Sequence, residues 1–137
     1  MCYEIIDHTA DIGILVRGKD INNMFENAGF ALFDVMLNAE KIEEKSSYNI
    51  SLDSNTIEDL MVNWLSELIY VFETEELVFK RFKVDINEKN KLHLSAVCYG
   101  EVFDKTKHGS KIDVKAITYH NLNIDKEKNE ASILFDV

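Results

Sequence analysis

Residues 56–72, Thr-Ile-Glu-Asp-Leu-Met-Val-Asn-Trp-Leu-Ser-Glu-Leu-Ile-Tyr-Val-Phe, decide the reading of the fold. Ile57, Leu60, Met61, Trp64, Leu65, Leu68, Ile69 and Phe72 recur at three- and four-residue intervals, which on a 3.6-residue turn makes one wide apolar face. Thr56 followed by Asp59 resembles a capping box with Asp in place of the usual Glu, and Glu58 adds negative charge at the positive end of the helix dipole. The spacing predicts a helix over 56–73. At ~25 cal/mol per Å² of apolar surface, burying that row supplies on the order of 10 kcal/mol before chain entropy is charged against it. The helix is therefore expected to anchor the core, with Trp64 and Leu68 buried.

On the N-terminal side of that helix, Tyr48, Ile50 and Leu52 alternate with Asn49, Ser51 and Asp53, the pattern of a short, half-exposed strand. Residues 41–47 are charged and polar without a period. Further back, Ile21, Met24, Phe25, Ala28, Leu32, Val35 and Met36 trace a second helical face behind Asp20, an N-cap residue, and predict a helix over 20–38. Residues 12–16, Ile-Gly-Ile-Leu-Val, read as a buried strand that ends in a turn at Gly18 and Asp20, with His8-Thr9-Ala10-Asp11 as its polar lead-in. Downstream the period changes to two, and strands are expected over 79–86, 92–99, 111–119, 122–125 and 132–137. Strand, helix, strand, helix and then several strands is an α+β order, with two main helices packed on one face of a mixed or antiparallel sheet. A single domain over 1–137 accommodates it, without repeats of 20 to 50 residues or low-complexity tracts.

With 25 acids against 15 bases the formal charge is −10, which opposes the counterion release that drives ordinary nucleic-acid binding, so a basic RNA- or DNA-binding module is not expected. The longest apolar stretches, such as residues 28–33, fall far short of the ~20 needed to span a bilayer, and no membrane association is expected. Cys2 and Cys98 form no CxxC or short Cys/His cluster, and residues 1–7 lack the basic region and apolar block of a secretion signal. A cytoplasmic, soluble protein is the expectation. Proline is absent, so turns fall to Gly18, Gly100, Gly109 and the many Asn and Asp residues.

His8, His93, His108 and His120 make no HExxH pair, and the chain has neither a glycine-rich phosphate loop nor a GxSxG elbow. Three residues break local expectation instead. Asp11 stands before the residue 12–16 strand, either as a turn-capping side chain or as one carboxylate of a site. Asp136 follows Ile133-Leu134-Phe135, which read as a buried strand in which an acid must be paired, hydrogen bonded or metal bound. The carboxylate on Val137 lies beside it, and with Asp11 these would make the all-oxygen set preferred by calcium or magnesium; the competing reading is a frayed, exposed end. Lys115 either faces water at a sheet edge or balances those carboxylates. Simple alternation places Lys115 with Ile117 and Tyr119 and turns His120 to the other face, so one site using both requires a bulge or bend. His108 and Gly109 read as a solvent-exposed polar turn.

Several stretches, in order along nearly the whole chain, resemble the archease family: residues 7–13 (Asp-His-Thr-Ala-Asp-Ile-Gly), 24–28 with 31–34, 63–70 (Asn-Trp-Leu-Ser-Glu-Leu-Ile-Tyr), Gly100-Glu101, Lys107-His108-Gly109, 114–120 (Val-Lys-Ala-Ile-Thr-Tyr-His) and 133–137 (Ile-Leu-Phe-Asp-Val). The resemblance implies a compact fold of strand-helix-strand-strand modules, one inserted in the other. It implies a protein cofactor, not an enzyme, that activates the GTP-dependent tRNA-splicing RNA ligase by helping guanylylate the ligase's active-site histidine. It further implies a functional cluster of Asp11, Lys115 and Asp136, joined by His120 and Glu101, and a divalent cation, calcium before magnesium or manganese, on Asp11, Asp136 and the Val137 carboxylate. The acidic charge fits a partner that is the basic ligase rather than RNA, without sequence-specific nucleic-acid binding. The alternatives are a general chaperone or modulator of nucleic-acid enzymes, and a stand-alone metal-dependent hydrolase.

Overall fold

The computed structural model describes residues 3–7 and 11–137, residue 7 by its backbone alone. The elements in chain order are β1 (Tyr3–Asp7), β2 (Asp11–Arg17), α1 (Ile21–Met36), a 3-10 turn (Ala39–Lys41), β3 (Ser46–Ser54), α2 (Ile57–Glu75), β4 (Leu77–Asn87), β5 (Leu92–Val102), α3 (Lys105–His108), β6 (Ala116–Asp125) and β7 (Glu130–Asp136). The fold class is α+β.

Both long helices start where their caps direct. The Asp20 carboxylate accepts the Asn23 N–H at 2.7 Å, and the Thr56 hydroxyl accepts the Asp59 N–H at 3.1 Å. α2 stops at Glu76, whose left-handed φ of 55° lets its N–H bond the Phe72 carbonyl. Trp64 and Leu68 are fully buried, and the Trp64 indole N–H donates to the Phe25 carbonyl at 2.9 Å, which satisfies its one polar atom.

The strands form two sheets in which every pairing is antiparallel: an outer sheet ordered β1-β2-β7-β6 and an inner sheet ordered β3-β5-β4. They belong to two strand-helix-strand-strand modules, β2-α1-β6-β7 and β3-α2-β4-β5, the second inserted between α1 and β6 of the first. In each, the last strand lies between the other two. The helices do not lie on one face of a single sheet: α1 packs on β4 and β2, and α2 on β6 and β3. The reason is visible in α2, where Val62 and Val71, outside the stripe read from the sequence, are also buried. A helix that is apolar beyond one stripe needs partners on more than one side. Phe33, Phe79, Phe82 and Trp64 meet between the layers, with Phe33 and Phe79 edge to face at 5.8 Å and Trp64 and Phe82 at 5.7 Å.

Three elements differ from the sequence reading. β1 was not expected, because both Ile5 and Ile6 are exposed on this edge strand and leave no alternation to read. α3 is one turn, too short for a period. The strands expected at 111–119 and 122–125 are a loop, tied down by the Lys111 N–H on the Met36 carbonyl at 2.8 Å, followed by the single strand β6. Among the described residues no helix is long and apolar enough to cross a membrane.

Candidate functional site

The β2/β7 register sets the site. Ile12 faces Phe135, Ile14 faces Ile133 and Val16 faces Ala131, and these pairs supply the core side of the outer sheet. The alternate pairs, Asp11 with Asp136, Gly13 with Leu134 and Arg17 with Glu130, therefore share the opposite face. Asp11 and Asp136 are direct cross-strand partners, a relation in which Cα atoms stand roughly 4.5 to 5.5 Å apart. Asp136 also opposes Ala116 of β6, and the Lys115 N–H donates to the Asp136 carbonyl at 2.8 Å. The sequence reading placed Asp136 inside a buried strand; in the structure burial ends at Phe135 and Asp136 is exposed, because it lies on the alternate face at the strand's end.

Among the described residues neither the Asp11 nor the Asp136 carboxylate has a hydrogen-bond or ion-pair partner, and Lys115 turns its ammonium to neither. Lys115 and Ala116 instead line a groove of about 250 Å³ with Ser66, Ile69, Tyr70 and Glu73 of α2. Like charges directly opposite each other in a sheet are unfavourable, so a cation between Asp11 and Asp136 would relieve a local cost. The donors are hard oxygens, which fits calcium or magnesium chemistry. Among the described residues no three His, Cys, Asp or Glu side chains converge as a metal-binding group, so main-chain or terminal oxygens and water would complete such a shell.

The bend that Lys115 and His120 require to share a site exists. The β6/β7 register runs regularly to Thr118 opposite Leu134 and resumes at Asn123 opposite Ser132, so β6 advances five residues (118 to 123) where β7 advances two (134 to 132). Asn121, with φ 55°, lies in this bulge. His120 is exposed there, its N–H donating to the Thr118 hydroxyl at 2.7 Å, and the neighbouring Tyr119 hydroxyl donates to Asp59 of α2 at 2.7 Å.

Glu101 belongs to the inner sheet, on β5 opposite Val78. Its carboxylate, 7% exposed, accepts the Glu43 N–H at 2.8 Å and meets Lys107 Nζ and His108 Nε2, each at 2.8 Å. Burial pushes this carboxyl up, but Lys107, the Glu43 N–H and His108 together outweigh it and hold it down at about 2. His108 is wholly buried rather than in a solvent-exposed turn: its Nδ1 accepts the Asp104 N–H at 3.0 Å, which leaves the ring proton on Nε2 facing Glu101. Gly109, at φ 74°, ends the α3 turn that carries both His108 and Lys107. The structure thus brings Asp11, Asp136 and the Lys115 backbone together, and gives Glu101 a separate set of partners. Sequence reasoning missed Glu43 and Tyr70 as neighbours of these groups; the only available signal was that Lys107 and His108 stand together next to a glycine.

The model of the Archease protein family matches residues 3–137. The chain belongs to the archease family. It is 38% identical over 135 residues to the protein archease of Sulfurisphaera tokodaii, a match that covers 98% of this chain and 96% of the relative. The solution structure of Methanobacterium thermoautotrophicum protein 1598 is similar at a TM-score of 0.86 and 33% identity, covering 98% of both chains. The crystal structure of an archease from Thermotoga maritima, called a possible chaperone, matches at a TM-score of 0.62 and 18% identity over 98% of this chain and 96% of that one, a likeness of fold. Both modules of this archease-family chain lie within the matched residues.

Proposed function

We propose that this protein is an activator of the GTP-dependent tRNA-splicing RNA ligase, acting on protein in the cytoplasm and making no covalent intermediate of its own. The observation that carries the reading is the cross-strand pairing of Asp11 with Asp136, unneutralised among the described residues and joined to the start of β6 by the Lys115 N–H. Asp11, Asp136 and the Val137 carboxylate would hold a divalent cation, calcium first. Such an ion, when bound, supplies Lewis-acid charge for organising phosphate oxygens. Lys115, one residue before β6, is tied to Asp136 by its main chain and offers its ammonium to the α2 groove, where a ligand reaching from the acids would meet it, and His120 lies further along on β6. Glu101 acts from a distance, fixing Lys107 and His108 and with them the loop that leads into β6. The charge of −10 suits a basic protein surface better than RNA. Holding reacting groups in register lowers barriers by several kcal/mol, roughly 7 to 11 at the upper end, so small amounts of activator should serve many cycles.

The test is guanylylation of a cognate ligase with and without this protein at substoichiometric amounts. Stimulation is expected, and Asp11→Ala, Lys115→Ala and Asp136→Ala should remain folded and lose most of it. No gain in guanylylation, or three folded variants that stimulate like the parent, overturns the reading. A general chaperone is the second reading, favoured by exposed Ile5 and Ile6 on the edge strand β1 and tested by suppression of aggregation in unrelated clients.

A further inference from the structure

The inner sheet presents a second constellation on the face away from the core. β3 and β5 pair with Asp53 opposite His93 and Ser51 opposite Ser95, so Ser51, Asp53 and His93 share that face. His93 Nδ1 is 2.7 Å from Asp53 Oδ1, and His93 Nε2 is 3.2 Å from the Ser51 hydroxyl. An ionised carboxylate only accepts, so Nδ1 carries the ring proton and Nε2 is left to accept from Ser51. Hydroxyl, imidazole and carboxylate in this order are the parts that activate a serine nucleophile.

A second observation is independent of those distances. Ser51 also lines a groove of about 470 Å³, together with Asn49, Lys83, Asp85 and Ser95. Lys83 has no ion-pair partner among the described residues. The nucleophile candidate therefore opens onto a concave surface in which Ser51, Ser95 and Asp85 form one cross-strand row, and the Asn49 amide and the Lys83 ammonium flank the next. Cross-strand polar pairing, worth roughly 0.2 to 1 kcal/mol per pair, accounts for Asp53 facing His93. It does not account for a hydroxyl set on the remaining imidazole nitrogen at the edge of a groove.

We propose that Ser51, His93 and Asp53 form an acyl-transfer site for small esters, separate from the Asp11 and Asp136 pair. The Ser51 oxygen adds to the acyl carbon while its proton passes to His93 Nε2. The bond to the leaving alcohol then breaks, and the alcohol oxygen takes that proton. Water adds to the acyl-serine, giving a proton to Nε2; the ester bond to Ser51 breaks, the acid departs, and the serine oxygen recovers the proton. No oxidant, reductant or further reactant enters. Ser51 and His93 touch the substrate, and Asp53 positions the imidazole. His93 and Asp53 are 43% and 61% exposed, so water screens the site and turnover is confined to activated esters.

The full chain is incubated with a fluorophosphonate probe and, separately, with p-nitrophenyl acetate, and the modified residue is mapped by mass spectrometry. The adduct is expected on Ser51 and is absent in Ser51→Ala, while His93→Ala slows labelling on the order of 100-fold. Asp53→Asn slows acetate release, and Asp53→Glu restores part of the rate, a rescue that a purely structural role does not give. Circular dichroism of each variant matches the parent. No adduct on the folded parent, an adduct elsewhere than Ser51, or Ser51→Ala hydrolysing the ester at the parental rate overturns the proposal.

Discussion

The two modules share one chain path yet treat the acid near the end of their central strand in opposite ways. Glu101, the penultimate residue of β5, is buried and surrounded by Lys107, His108 and the Glu43 N–H. Asp136, the last residue of β7, is exposed beside Asp11, with no cation against it among the described residues. The difference comes from what folds back. After β5, one turn of helix returns two donors onto Glu101, whereas at Asp136 the neighbour across the ladder is another acid. A carboxylate whose lone pairs are all used is structural, and a pair of carboxylates without partners is available to a ligand.

The largest effect expected from this contrast is on stability. Glu101→Ala strands a buried imidazole and an N–H, and should cost roughly 3 to 5 kcal/mol in urea unfolding. Asp136→Asn in metal-free buffer should move the midpoint by less than about 0.5 kcal/mol. Equal costs would erase the distinction. The pH dependence follows the same line. Glu101 is held at about 2 in the folded protein against 4.5 ordinarily, so its contribution is fully present above pH 4.5 and is lost as pH falls toward 2. Glu101→Gln should flatten the stability profile in that window relative to the parent.

Two glycines sharpen the comparison at the level of the backbone. At Gly100, beside the β4 bulge between Phe79 and Arg81, an added Cβ would stand 1.8 Å from the Val78 carbonyl oxygen. At Gly13 in the outer sheet it would meet the flexible Leu134 side chain at 3.0 Å and the Ile6 carbonyl oxygen at 3.1 Å. Gly100→Ala should therefore cost about 3 kcal/mol or more and Gly13→Ala about 1, measured by thermal unfolding. The ligand test falls between these two glycine effects: Asp11→Asn and Asp136→Asn should each weaken calcium binding about tenfold, or ~1.4 kcal/mol, in a calorimetric titration. Unchanged affinity in both removes the cation from the proposed site.

How much of this was legible in the sequence depends on the range of the interaction involved. α1 and α2 were readable to within two residues because caps and apolar period are local. The exposed Ile5 and Ile6 hid β1, and a polar triplet hid the burial of His108, which is satisfied through Glu101 and Asp104 rather than by apolar neighbours. The Asp11 and Asp136 pairing joins opposite ends of the chain, so composition and spacing could nominate each acid but not their register; the family resemblance supplied that link. It did not distinguish the clamped Glu101 from the open pair, because the distinction lies in which element folds back over each.

The smallest effect tests the bulge that separates Lys115 from His120. Tyr119, on this bulge of the outer module, donates to Asp59 at the start of the inner module's helix, one of the few polar links between the two modules away from their shared core. The hydrogen bond to Asp59, with burial second, raises the Tyr119 pKa above its ordinary value of 10. A raised acid of this kind stabilises the fold in its neutral form. Its contribution is fully present below pH 10 and disappears as pH rises through the folded value. The side chain is 56% exposed, so Tyr119→Phe should cost only about 0.5 kcal/mol at pH 7. The gap between variant and parent should close above pH 10, when the parent's phenol ionises against Asp59. If Tyr119→Phe shows no gap at pH 7 and none appears up to beyond pH 10, the hydroxyl contributes nothing to seating the bulge on α2, and ring packing, which the variant keeps, sets the path of β6 between Lys115 and His120.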